Sequence, residues 1–151
     1  MITATHFLRA GLLATTVAFA ACSMTPTAQP AAAGSASFGA TLSSAAEVPA
    51  NTSAGSGSMQ ATLNKSTNVL SWKVTYAGLS GPATAGHIHG PALPGANAGV
   101  VVPFTSAASP IEGSATLTPA QIADLMAGKW YANVHTAANP GGEIRGQVML
   151  K

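Results

Sequence analysis

The sequence predicts an all-β domain: a Greek-key β-sandwich or flattened barrel of seven or eight short strands, with one short helix. Three observations predict it. Apolar residues alternate with polar or small ones over short windows, as Met59, Ala61 and Leu63 do against Gln60 and Thr62, which is the period of a half-buried strand. Turn-forming residues punctuate these windows, with 16 Gly and 10 Pro in 151 residues. Convincing helix-start chemistry occurs at one place, Thr118-Pro119-Ala120-Gln121.

The chain opens with a leader. His6 and Arg9 precede an apolar stretch, Ala10 to Ala21, too short to span a bilayer as a stable helix. It ends in Phe19-Ala20-Ala21-Cys22, which resembles the bacterial lipobox. That resemblance implies a signal peptide over 1–21 and a lipid on Cys22, with Phe19 standing where Leu is more usual. Ser23, rather than an acidic residue, follows the cysteine, so the expected location is the periplasm, with the lipid in the outer membrane. A general secretory signal, with Cys22 incidental, is the alternative; a cell-surface or secreted location is the variant. Residues 22–35 are rich in Thr, Pro, Ala and Gln with no hydrophobic period and read as a tether, leaving 36–151 as the domain.

Within it, Phe38, Ala40 and Leu42 mark a first strand and Met59 to Leu63 a second. The Asn64–Asn68 cluster is a turn into a third, Val69 to Tyr76, with Leu70, Trp72, Val74 and Tyr76 on one face. Ala85 to Gly90 is a short strand, and Pro91 to Asn97 must be a loop. The continuous apolar run Val100 to Phe104 predicts a buried strand, and Gly113 to Thr118 another. Thr118 caps the helix, Ile122, Leu125 and Met126 form its apolar stripe, and Gly128 ends it. Trp130 to Thr136 and Glu143 to Leu150 are the last strands, joined by Ala137 to Gly142.

Composition excludes several functions. Only 7% of residues are charged, and Lys65, Lys73, Lys129 and Arg145 are scattered, so the basic stripe of a nucleic-acid binder is missing. Cys22 is the single cysteine, so the domain can form no internal disulfide and offers no thiolate. No Gly-x-Ser-x-Gly elbow supports hydrolysis. An enzyme is therefore disfavoured.

The chemistry lies in the histidines. They occur in Gly86-His87-Ile88-His89-Gly90 and in Tyr131-Ala132-Asn133-Val134-His135-Thr136. If Ile88 and Val134 point into the core, strand alternation turns His87, His89 and His135 out of it. His87 and His89 then stand roughly 6.5–7 Å apart at Cα, close enough for both rings to reach one ion at about 2.0–2.1 Å per bond. A third imidazole from a neighbouring strand completes a mononuclear site, and outside the cytoplasm imidazole favours copper, with zinc as the alternative. Gly86 and Gly90 are expected to clear space around the pair. Glu143 can supply an oxygen ligand or accept an imidazole N–H, and Arg145 shares its face; an exposed Glu143–Arg145 ion pair is the plainer reading. The plainer reading of the histidines is that they hydrogen-bond the Gly/Pro loops and bind nothing. Glu47, ahead of Pro49, is expected to accept hydrogen bonds from loop amides. Met59, Met126 and Met149 read as core filling rather than Cu(I) ligands.

Three segments carry a family resemblance: Ala45-Ala46-Glu47-Val48-Pro49, Gly86 to Pro91, and Tyr131 to Gln147. They closely resemble the CHRD domain, named from its repeats in chordin and also found singly in bacterial exported proteins. The resemblance implies an all-β domain and leaves the activity undefined. A weaker resemblance, in motif order, is to copper/zinc superoxide dismutases: His87 and His89 match an early His-x-His strand, His135 a later ligand, and Arg145 a substrate-guiding arginine. The stretch Pro91 to Phe104 holds no His or Asp, so the bridging histidine and zinc-loop ligands of that family are missing. The leading expectation is an exported copper-binding lipoprotein that buffers, delivers or resists copper. A metal-free surface or protein-interaction module is second, and a dismutase-type redox enzyme third.

Overall fold

Eight strands hydrogen-bond into a single antiparallel sheet in the order β5-β4-β7-β8-β1-β2-β3-β6, which curls into a nearly closed barrel. They are β1 (Ser35–Ser43), β2 (Ser56–Asn64), β3 (Val69–Ala77), β4 (Ala83–His89), β5 (Val100–Pro103), β6 (Ile111–Thr116), β7 (Trp130–Thr136) and β8 (Ile144–Leu150), with α1 (Pro119–Met126) between β6 and β7. The computed structural model describes residues 34–151. The predicted signal peptide, Cys22 and nearly all of the predicted tether lie outside the described residues.

Around the barrel β7, β4, β5 and β6 follow one another, three consecutive strands with the fourth returning beside the first, which is Greek-key connectivity. The unpaired edges are β5 and β6, and aromatic side chains fill the seam between them. Trp72 packs against Gly113 of β6, where a Cβ would strike the indole, and the Phe104 ring, just past β5, lies 5.6 Å from the Trp72 ring. Tyr76 fastens the β5–β6 loop by donating its hydroxyl to the Ala107 carbonyl at 2.6 Å.

The core follows the predicted alternation. Phe38, Leu42, Leu63, Leu70, Val74, Ile88, Leu125, Trp130, Val134, Ile144 and Val148 are buried together, and each large aliphatic among them contributes about 1.5–3 kcal/mol through burial. The helix starts as its sequence dictates: the Thr118 hydroxyl accepts from the Gln121 N–H, and the Gln121 side chain accepts from the Thr118 N–H. Gly128, at φ +68°, supplies the left-handed residue that ends it.

Two expectations need correction. The Val100–Phe104 run is not a buried strand: β5 is an edge paired only with β4, and within it only Val102 is buried. Met59 fills the core, but Met126 and Met149 are exposed, because the helix packs mainly through Leu125 and β8 runs to the barrel rim at its end.

Candidate metal centre

β4 and β7 are neighbours, and their register sets His87 opposite Asn133, His89 opposite Tyr131 and Ala85 opposite His135. Ile88, Ala132 and Val134 face the core, so His87, His89, Tyr131, Asn133 and His135 stand on the outer face. Yet all seven residues of β7 are buried, because loops cover that outer face. The Pro91–Gly99 loop is held down by Ala92 N–H donating to the Lys129 carbonyl at 2.7 Å. Arg145 donates to the Ala96 carbonyl at 2.6 Å and to Asn97 Oδ1 at 2.9 Å. Gln147 donates to the Ala92 carbonyl at 2.9 Å.

The three histidines come together as predicted: one ring nitrogen from each lies within 4.8 Å of the others. His89 and His135 are buried, and His87 is half-buried, so the cluster meets solvent at His87. His89 Nδ1 lies 3.0 Å from the Ala98 carbonyl and His135 Nδ1 lies 3.0 Å from the Pro140 carbonyl. A carbonyl oxygen only accepts, so both rings donate Nδ1–H there. In the neutral imidazole the remaining nitrogen, Nε2, then carries a lone pair. The loop hydrogen bonds of the plainer reading therefore exist, and they leave each Nε2 lone pair facing the other side chains of the cluster. His87 Nδ1 and His135 Nε2 are 3.0 Å apart.

Electrostatics favour the neutral form of His87 and of His135. Burial, then the neighbouring His135 and His89, lowers the pKa of His87. For His135 burial again dominates, opposed by the hydrogen bond to Pro140 and reinforced by His89, with a net lowering. Both shifts favour the uncharged, ligating form at neutral pH.

The remaining predicted residues sit elsewhere. Glu143 is neither a ligand nor an acceptor for an imidazole: its carboxylate accepts from Ser53, from Ser80 N–H and hydroxyl at 2.6 Å each, from Thr136, and from Asn139 at 3.1 Å. It also forms no ion pair with Arg145; among the described residues the ion pairs are Lys73–Glu112 and Lys129–Asp124. Strand alternation places Glu143 and Arg145 on one face, but Glu143 precedes β8 and its side chain turns to the hydroxyls at the barrel end. Arg145 is buried and reaches the histidines only through rings: its guanidinium carbon lies 3.4 Å from the Tyr131 centroid, and Tyr131 stacks on His89 at 4.8 Å. Gly86 and Gly90 clear space for the core, not for an ion, since a Cβ at either would strike Phe104 or Trp130. Glu47 is buried and meets the Val48 amide, a loop amide as expected, while its Oε1 has no hydrogen-bond partner.

Sequence reasoning missed one residue. Asn133, buried, places its side-chain oxygen 3.0 Å from both His89 Nε2 and His135 Nε2. The signal was present: Asn133 has the same strand parity as Tyr131 and His135, so it had to share their face.

A β-barrel domain presenting three imidazoles on its outer face, beneath a loop, defines a class: an all-β protein with a candidate mononuclear histidine centre. Within that class the chain belongs to the CHRD domain family, whose family model matches residues 38–148. No curated protein and no solved structure matches the chain, so the likeness to copper/zinc superoxide dismutases rests on motif order alone.

Proposed function

We propose that this domain binds one copper ion through His87, His89 and His135 outside the cytoplasm, and that it buffers or carries copper there. The observation that supports the reading is the directed pair of Nε2 lone pairs: backbone carbonyls hold both Nδ1–H groups, and the third imidazole lies at 3.0 Å. Imidazoles suit copper and zinc, and copper heads the divalent affinity series. The lipobox-like Phe19-Ala20-Ala21-Cys22 supports export with a lipid anchor. Buffering or delivery, rather than redox turnover, is favoured because Pro91 to Phe104 holds no second set of metal-ligating side chains.

Titration of the purified protein with Cu(II) and Zn(II) tests this. One ion per chain is expected, with His87→Ala and His135→Ala each weakening binding at least ten- to a hundred-fold. Protein recovered from the membrane fraction of its native host should carry copper in the same ratio. Affinity weaker than about micromolar, or binding indifferent to both substitutions, removes the metal reading and leaves an interaction module.

A further inference from the structure

We propose that Asn133 is the fourth donor of this centre, its side-chain oxygen completing an N3O set that holds copper in the divalent state. The inference rests on the copper reading above and deepens it by assigning the oxidation state.

The argument is one of spacing. His87 Nδ1 to His135 Nε2, His135 Nε2 to Asn133 Oδ1, and Asn133 Oδ1 to His89 Nε2 are each 3.0 Å. Two donors bound at about 2.0–2.1 Å to a common ion, at angles of roughly 90–110°, stand about 2.9–3.4 Å apart. Three successive separations therefore match the edges of one coordination polyhedron. The histidine nitrogens lie within 4.8 Å of one another, and donors across an ion stand at most about 4.2 Å apart, so binding needs only a small closing movement.

Donor chemistry points the same way. Both Nε2 atoms carry lone pairs, because both Nδ1–H groups are spent on carbonyls. An amide oxygen beside two lone pairs is repulsive unless a cation lies among them. Without the ion, the amide must turn so that its NH2 donates to the two nitrogens instead. Asn133 thus has two roles open to it, ligand or simple cap of the metal-free pair, and they predict opposite signs. A ligand's removal weakens binding; a cap's removal strengthens it. The oxygen, a hard donor, favours Cu(II) over Cu(I), and neither histidine-bearing strand carries a sulfur: among the described residues Met59 lies in the core on β2, and Met126 and Met149 are exposed on α1 and β8.

The test measures Cu(II) affinity, Cu(I) affinity against a competing chelator, and the reduction potential of bound copper for the wild type, Asn133→Ala and Asn133→Asp. Asn133→Ala is expected to weaken Cu(II) about ten- to a hundred-fold and leave Cu(I) unchanged, raising the potential by about 60–120 mV at 59 mV per tenfold change for one electron. Asn133→Asp keeps an oxygen donor, adds charge, and is expected to hold Cu(II) at least as tightly and to lower the potential. Unchanged or tighter Cu(II) binding in Asn133→Ala overturns the fourth donor while the histidine centre stands. If Asn133→Ala does not fold, weaker Cu(II) binding in Asn133→Asp overturns it equally. A wild type that binds no copper overturns the centre itself.

Discussion

Glu143 and Glu47 are both buried carboxylates beside Gly142, and the barrel holds them in opposite ways. Glu143 is enclosed by donors. Burial alone would raise its pKa, but hydrogen bonds from Ser53, Ser80, Thr136 and the Ser80 amide outweigh that and hold it at about 2. Glu47 is buried against Gly142, with no partner for Oε1. Burial lifts it to about 7, opposed only in part by Arg145 and the Val48 amide. The same side chain at similar burial is an anion in one place and half-protonated at neutral pH in the other. Donors decide the charge, and burial sets only what goes unanswered.

The difference also bears on the metal centre. Glu143 ties Thr136 and Asn139 together around the β7–β8 loop, and that loop presents the Pro140 carbonyl that orients His135. Glu143 is thus a structural anchor for a ligand it does not touch. Glu47 faces the buried Arg145, the far end of the series through Tyr131 to His89.

The comparison breaks first at Glu143. Glu143→Ala leaves several buried donors without an acceptor, and we expect a loss of about 3–5 kcal/mol in urea unfolding. A loss below about 1 kcal/mol would show that the donors find other partners. In the wild type this contribution is present above pH 4.5, the ordinary carboxylate value, and disappears as pH falls from 4.5 toward about 2, because the folded-state pKa is depressed.

Glu47 runs in the other direction. Its folded-state pKa of about 7 lies above the ordinary 4.5, so the folded state retains the proton longer and stability is lost as pH rises from 4.5 to 7. Glu47→Gln removes that slope. Relative to the wild type it should gain on the order of 2–3 kcal/mol between pH 4.5 and 8, read from paired unfolding curves. A difference curve flat across that range would mean that Glu47 has an acceptor-satisfying partner after all.

The smallest effect belongs to a carboxylate at the surface. Glu112 pairs with Lys73 at 2.8 Å, with both side chains more than half exposed. Lys73→Ala should change stability by less than about 0.5 kcal/mol, and less still at high salt. A larger change would place ion pairing, rather than the hydroxyl nest around Glu143, among the main supports of this barrel.

Much of the fold was legible because its causes are local. Leu70, Trp72 and Val74 face the core by parity alone, and Thr118, Pro119 and Gln121 write the helix start within one turn. Parity also turned the three histidines outward. The errors occurred where parity does not suffice. Glu143 and Arg145 share a face yet serve different neighbours, and β5 reads as a buried strand until its place at the sheet edge is known. The two glycines beside the His-x-His pair face inward, against Phe104 and Trp130.

The sequence by itself determined which side chains face outward and where strands and helix begin, since backbone alternation and capping act over a few residues. Only the tertiary structure decided that His135 lies beside His87, 48 positions earlier, with Asn133 between the imidazoles and carbonyls behind two of them. That arrangement depends on the β4–β7 pairing, its register, and the loops that cover it. These are long-range choices made by packing the whole barrel, and no short window of residues contains them.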